Sequence, residues 1–358
     1  MTSRFRAFFV AVGCVLGGLI ASTALAGSSG APVTLGDFNA DQRIDVLVAD
    51  AGVLYVYATA DGGTTVNESE SATLALLPGG VTTTVQAVAD FNGDGRADVL
   101  TQTDSDALYI FISAETVAGS PIASDPAASG SPIGVPAGFS VAGAGDANGD
   151  GRADIYVVDD TTGFLYTYII DEGGITVDDS LSGSPVTIPS GWSIQSIGDY
   201  NGDGRSDVLV ENDTLGTLYT WTTNPDGISF AEFPASNSPF GLPAGWSWGG
   251  GGKFVGAKTS SDLAIQEIGN GLVYIVVTND NGVTADNAAS TLNVGGIAGF
   301  TVAGIGDFSG DGIADTLVQN ASGLLYVFIN SDPSTQTAEG LLTTVPAPFD
   351  IAAGKVGF

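Results

Sequence analysis

The sequence predicts an all-β fold, a β-propeller of four-stranded antiparallel blades. Three observations predict it. First, a loop rich in Asp, Asn and Gly starts at Asp37, Asp90, Asp146, Asp199 and Asp307, with a degraded copy at Lys253. The starts lie 53, 56, 53, 54 and 54 residues apart, and a fixed period of this size marks a repeat architecture. Second, each loop runs into a β-branched stretch such as Asp207-Val208-Leu209-Val210, and no long stretch carries helical periodicity. Third, four short strands fit into each repeat, which is the content of one propeller blade. Six copies predict six blades, and a seventh would need a repeat this sequence does not contain.

The chain opens with Arg4 and Arg6 before an apolar run from Ala7 to Ile20, then Ala24-Leu25-Ala26. Charge, apolar run and small-x-small site together read as a secretory signal peptide over 1–26. Residues 27–358 are then expected to be one propeller, secreted to an extracellular, cell-surface or periplasmic location. A lipoprotein reading at Cys14 is disfavoured, since Ala11 stands where Leu is usual and the apolar run continues past the cysteine. No later stretch is long and apolar enough to predict a transmembrane segment. Cys14 is the only cysteine, so the mature chain has no disulfide.

Within a repeat, a first strand such as Ser193–Gly198 leads into the loop, and a second such as Asp98–Leu100 leaves it. The third carries an aliphatic-Tyr pair: Leu54-Tyr55, Leu108-Tyr109, Leu165-Tyr166, Leu218-Tyr219, Val273-Tyr274 and Leu325-Tyr326. Pro185–Ile188 represents the fourth. The matched Tyr read as packing between blades, at one register of an inner strand, rather than as a ligand-stacking ring. A second series, Phe139, Trp192, Trp246, Phe300 and Phe349, precedes first strands and is also assigned to packing. Trp221 and Trp248 have no repeat partners, which makes them the better candidates for a ligand surface. Residues 351–358 read as a strand that completes the first blade, although Val33–Gly36 competes for the same place.

The loops carry the chemistry. Oxygen side chains fall at positions 1, 3, 5 and 9, and position 7 offers its carbonyl. The candidate metal ligands are Asp37, Asn39, Asp41, Arg43 and Asp45; Asp90, Asn92, Asp94, Arg96 and Asp98; Asp146, Asn148, Asp150, Arg152 and Asp154; Asp199, Asn201, Asp203, Arg205 and Asp207; and Asp307, Ser309, Asp311, Ile313 and Asp315. Calcium takes six to eight oxygens, and a tight loop with alternate oxygen side chains supplies them. Gly95, Gly151, Gly204 and Gly312 at position 6 permit the sharp turn. A helical calcium hand needs an acid at position 12, where this chain has Val48, Thr101, Val157, Val210 and Val318. Metal-free turn chemistry is the other reading, since Asp, Asn and Gly favour turns unaided. Five copies with the same oxygen positions favour metal, with about five calcium ions expected. The Arg at position 7 is assigned to pairing with a neighbouring carboxylate rather than to an anion-binding ring.

The run Asp90-Phe91-Asn92-Gly93-Asp94-Gly95-Arg96-Ala97-Asp98-Val99-Leu100 resembles the FG-GAP/VCBS repeat of integrin α-subunit heads and secreted bacterial proteins. The resemblance covers essentially the whole mature chain. It implies a propeller with calcium in a hairpin loop of each blade. It does not extend to Lys253–Lys258, where Lys253 and Ala257 replace acids and one residue is inserted before Asp262. That blade is expected to lack metal, with Lys258 supplying some of the missing positive charge.

The formal charge is −31, which disfavours nucleic acid as a partner. There is no histidine, so Ser-His-Asp, Cys-His and His-metal chemistries are excluded. The expected function is non-catalytic adhesion or binding of a glycan or protein ligand by a monomer. A calcium-dependent polysaccharide lyase or hydrolase, and a structural surface-layer or matrix component, are the alternatives. The loops around Ser120–Ser131 and Asn224–Ser238 are expected to form the ligand surface.

Overall fold

The computed structural model describes residues 34–50, 53–76, 83–117, 119–178, 182–231, 240–279, 284–294, 297–344 and 355–356. The signal-peptide segment, Phe349, the second half of the loop expected over 224–238 and most of the C-terminal strand expected over 351–358 lie outside these residues.

Alternating and β-branched runs form six antiparallel meanders. Blade 1 holds β1 (Thr34–Gly36), β2 (Asp45–Asp50), β3 (Val53–Tyr57) and β4 (Ala72–Leu76). Blade 2 holds β5 (Thr83–Ala89), β6 (Asp98–Thr103), β7 (Ala107–Phe111) and β8 (Gly130–Gly134). Blade 3 holds β9 (Phe139–Gly145), β10 (Asp154–Asp159), β11 (Phe164–Tyr168) and β12 (Gly183–Thr187). Blade 4 holds β13 (Trp192–Gly198), β14 (Asp207–Asn212), β15 (Thr217–Trp221) and β16 (Phe240–Gly241). Blade 5 holds β17 (Trp246–Gly252), β18 (Asp262–Glu267), β19 (Val273–Val276) and β20 (Thr291–Val294). Blade 6 holds β21 (Phe300–Gly306), β22 (Asp315–Asn320), β23 (Leu324–Asp332) and β24 (Thr335–Thr344). The first strands touch in sequence, β1 to β5, β9, β13, β17, β21 and back to β1, which closes the ring.

The core follows the ring. Each of its six apolar clusters joins two neighbouring blades, and one of them joins blade 6 to blade 1. The second loop residue anchors each cluster: Phe38, Phe91, Tyr200, Phe254 and Phe308 are fully buried. Blade 3 has Ala147 there, and the buried Tyr156 of β10 packs in the same cluster. The six matched Tyr do pack against these clusters, but from the third strand, two strands out from the ring centre. Phe139, Trp192 and Trp246 lie across the sheet from them, at 5.7, 4.8 and 6.3 Å from Tyr166, Tyr219 and Tyr274.

Two expectations are corrected. Trp221 is 4% exposed and packs in the cluster between blades 3 and 4, so it is core and not ligand surface. Trp248 is half-buried against the cluster between blades 4 and 5. The described part of the tail, β25 (Lys355–Val356), does not complete blade 1. It runs parallel to β5, opposite Ala87 and Val88. The reason is that β1 already occupies the inner edge of β2, so the open inner edge of blade 2 takes the tail.

Close approach between blades explains the small residue before each loop. A Cβ on Gly145 would collide with Ser206 Oγ and lie 2.9 Å from Ser206 Cβ and 3.0 Å from Ile197 Cγ2. Gly36 and Gly306 face Ala97 and Ile44 in the same way. We expect Gly145→Ala to destabilise the protein by about 1–3 kcal/mol through overpacking. Adding Ser206→Gly should recover much of that loss in urea unfolding. An additive double variant would show that the contact is unimportant.

Candidate functional site

In a meander the connections from strand 1 to 2 and from strand 3 to 4 lie on one face of the ring. The acidic loops are the first of these. Their regularity comes from the first Asp. In blade 2, Asp90 Oδ1 accepts the N–H of Gly93 at 2.7 Å and of Asp94 at 3.2 Å, and Oδ2 accepts that of Gly95 at 2.7 Å. Asp146, Asp199 and Asp307 repeat all three bonds, and Asp37 accepts from Asp41 and Gln42. Asn39, Asn92, Asn148 and Asn201 donate to the Asp two residues on. Ser309 instead donates to Asp307.

Asp41, Asp94, Asp150, Asp203 and Asp311 accept the N–H two residues further on. In the first four loops that next residue is Arg, and its guanidinium pairs with the same Asp, at 2.6 Å for Arg43 and Arg152 and 3.3 Å for Arg96. Arg205 pairs with Asp203 likewise. The expected Arg–carboxylate pairing is therefore present. Ile313 holds this position in blade 6, where no Lys or Arg pairs with Asp307, Asp311 or Asp315 among the described residues.

The ninth residue is the innermost group. Asp45, Asp98, Asp154, Asp207 and Asp315 are fully buried. In blade 2, Asp98 Oδ2 accepts Phe91 N–H at 2.9 Å and Oδ1 accepts Ser113 N–H at 2.8 Å. Each ninth Asp thus ties its loop to the end of the third strand, through Thr59, Ser113, Ile170, Thr223 or Asn330. Thr59, Ser113 and Thr223 close the link with a hydroxyl to the eighth residue's carbonyl, and Asn330 does so with its amide. Sequence reasoning missed these residues. Their signal was a polar residue 14–16 positions after the ninth Asp, at the end of an apolar run.

The loops also join the blades. The eighth residue's N–H donates to the first residue's carbonyl in the preceding blade. The bonds are Ala97 to Asp37 at 2.6 Å, Ala153 to Asp90 at 2.7 Å, Ser206 to Asp146 at 2.5 Å and Ser261 to Asp199 at 2.9 Å. Ala314 to Lys253 at 2.7 Å and Ile44 to Asp307 at 2.8 Å complete the circle.

Blade 5 keeps the buried Asp262 but brings its own cation. Lys258 Nζ lies 2.8 Å from Asp262 Oδ1 and also donates to the Thr278 carbonyl and hydroxyl. The expected positive charge is thus placed on the ninth Asp.

Burial pushes the ninth carboxyls up, and neighbouring loop carboxylates add to it, against the opposing N–H bonds. Asp98 is raised to about 8, Asp154, Asp207 and Asp315 to about 7, and Asp45 well above its ordinary value. Burial raises Asp37, Asp90, Asp146 and Asp199 as well. These groups call for a proton or a cation. The donor set is all oxygen and suits a hard cation. Among the described residues, however, no three acid or thiol side chains are drawn together tightly enough to form a ready metal cluster.

Residues 37–101, 90–157 and 146–210 match the FG-GAP-like repeat family, each span running from one loop to the strand after the next. The protein is an FG-GAP repeat β-propeller. No curated protein matches this FG-GAP propeller in sequence. In structure it is similar to a lectin from Agrocybe aegerita that recognises non-reducing terminal N-acetylglucosamine, at 16% identity and a TM-score of 0.50, over 89% of this chain and 81% of the lectin. It is also similar to a protein from Lactobacillus plantarum, at 10% identity and a TM-score of 0.46, over 93% of this chain and 87% of that one. At such identities the likeness is one of fold.

The loops of this FG-GAP propeller differ in backbone strain. Blade 1 has Ala40 at φ 58° and Gln42 at φ 69°, where the other intact loops have glycine. Left-handed backbone costs a side-chain-bearing residue about 1–2 kcal/mol, partly offset by glycine's freedom when unfolded. Ala40→Gly and Gln42→Gly should each raise stability by about 0.5–1 kcal/mol in urea unfolding; a loss at both sites would refute the strain.

The buried carboxyls also make stability depend on pH. The ninth Asp carboxyls have raised folded values, so without metal their contribution is fully present below the unfolded value of about 4. It is lost as pH rises toward about 8. With chelator present, Tm should therefore fall between about pH 5 and pH 8. A flat or rising Tm over that window would contradict it.

Proposed function

We propose that this FG-GAP propeller is a secreted, calcium-stabilised binding module that holds a glycan or protein ligand without transforming it. The observation that carries this reading is the uncompensated charge of the loops. Each of the five intact loops holds three carboxylates. Four of these loops have one guanidinium, and among the described residues the fifth has none paired to it. The ninth carboxylate is buried in all five. Blade 5, which has lost the acids, has a lysine ammonium on its ninth Asp.

The residues that would hold calcium are the first, third, fifth and ninth side chains of each intact loop, with the seventh carbonyl. The bound ion would supply the positive charge that lets a buried carboxylate stay ionised. The chain's part is to hold the first Asp by backbone N–H groups, three in four of the loops, and the ninth by at least two. Extracellular modules of this kind bind at about 10⁻⁴–10⁻³ M, which suits a secreted protein. The most perturbed acids face their own backbone amides, so they serve the frame. That favours a binding role over acid–base chemistry.

The test pairs metal content and thermal unfolding with ligand panels. About five calcium ions per chain and a Tm lowered by at least ~10 °C in chelator are expected. Retention on immobilised glycans, beginning with N-acetylglucosamine-terminated ones, or on a protein panel should require calcium. No bound calcium and no Tm change would overturn the metal. Product release from a polysaccharide would overturn the non-catalytic reading.

A further inference from the structure

The face opposite the acidic loops carries an apolar feature at one junction. Blades 4 and 5 are joined by the connection from Leu242 to Gly245. The turn between β14 and β15 bonds to it through Leu242 N–H to the Gly216 carbonyl at 2.7 Å. The turn between β18 and β19 bonds to it through Ile268 N–H to the Gly245 carbonyl at 2.9 Å. Those turns present Leu215 and Ile268, which are 68% and 54% exposed. From the connection an open cavity of about 250 Å³ runs between the two blades, lined by Phe240, Pro243, Trp246, Ile265 and Tyr274, and ends at the polar Asn287 and Ser290 of blade 5's third-to-fourth-strand connection, toward the loop face. Trp246 and Tyr274 meet edge to face at 6.3 Å.

Large exposed aliphatics beside an aromatic cavity mark an interaction site. The cavity wall is mainly apolar, which favours an apolar side chain over a hydroxylated ring. Its size suits one aromatic side chain. The charge around it has one sign: Glu211 and Asp213 lie at the first turn, and Glu267 precedes Ile268. Apart from Lys355 in the tail strand, the basic residues of the described blades lie in the loops between first and second strands, on the other face.

We propose that this junction docks a partner polypeptide by one aromatic side chain flanked by basic residues. The inference rests on the binding-module reading and gives it a place and a partner chemistry. The aromatic ring fills the cavity against Trp246 and Tyr274. Leu215 and Ile268 cover its neighbours, and Asp213 and Glu267 meet the basic flanks.

The probe is acetyl-Lys-Phe-Lys-amide, with acetyl-Lys-Ala-Lys-amide as control. The readout is the indole N–H resonance of Trp246 in the calcium-loaded protein. The Phe peptide should shift that resonance at least about tenfold more tightly than the Ala peptide. Leu215→Ser and Ile268→Ser, both at exposed positions, should each weaken it about threefold. Added salt should weaken it further. Equal response to both peptides would overturn the proposal. So would a shift caused by N-acetylglucosamine and not by the Phe peptide, which would assign the cavity to sugars. Failure of the peptide alongside calcium-dependent capture on the ligand panels would reject this junction and leave the binding module standing. Peptide binding with empty panels would support the junction and reject the panel ligands.

Discussion

The ring depends on a single recurrent junction, where the eighth residue of one loop gives its N–H to the first residue of the loop before it. Six such bonds run round the molecule, and the last, from Ile44 to Asp307, joins the two ends of the repeat. Adjacent blades are separate sheets, so something other than sheet pairing must set the blade spacing. The apolar clusters supply the adhesion, since each belongs to two blades. The hydrogen bonds supply the register. The small residue before the loop lets the two chains approach, as Gly145 does against Ser206.

The same residues serve both the junction and the charge problem. The first Asp offers its carbonyl to the neighbouring blade and its carboxylate to two or three amides of its own loop. The ninth Asp is one residue from the N–H that makes the junction, and it is buried. Whatever neutralises that carboxylate therefore bears directly on how neighbouring blades are held. This is why loss of a cation is expected to appear in global stability rather than as a local change.

Much of this was legible in the residues. The spacing of the Asp/Asn/Gly loops located every blade, and the aliphatic-Tyr pairs located every third strand. What could not be read was anything decided between repeats. Trp221 looked like ligand surface because no other repeat has Trp there, yet Tyr57, Phe111, Tyr168 and Phe328 hold the same third-strand register, and Trp221 is buried against the preceding blade. The tail looked like the missing strand of blade 1, but three residues, Thr34–Gly36, are enough to cap β2. Thr59, Ser113 and Thr223 went unnoticed because a single hydroxyl at a strand end is common. Only the fold shows that each reaches the carbonyl of its own loop's eighth residue.

The six blades can be compared as variants of one loop. Blades 1 to 4 place a guanidinium on the fifth residue, outside the buried Asp. Blade 5 abandons the acids and places an ammonium on the buried Asp itself. Blade 6 keeps three acids and has Ile313 where the Arg would be. Burying an unpaired carboxylate is costly, so the loop of blade 6 has the greatest need of an external cation and that of blade 5 the least. These two blades are neighbours, joined by the bond from Ala314 to Lys253. Blade 6 also makes the closing bond to blade 1. The junction with the largest unmet charge is thus the one that shuts the ring, flanked on one side by the blade that carries its own positive charge.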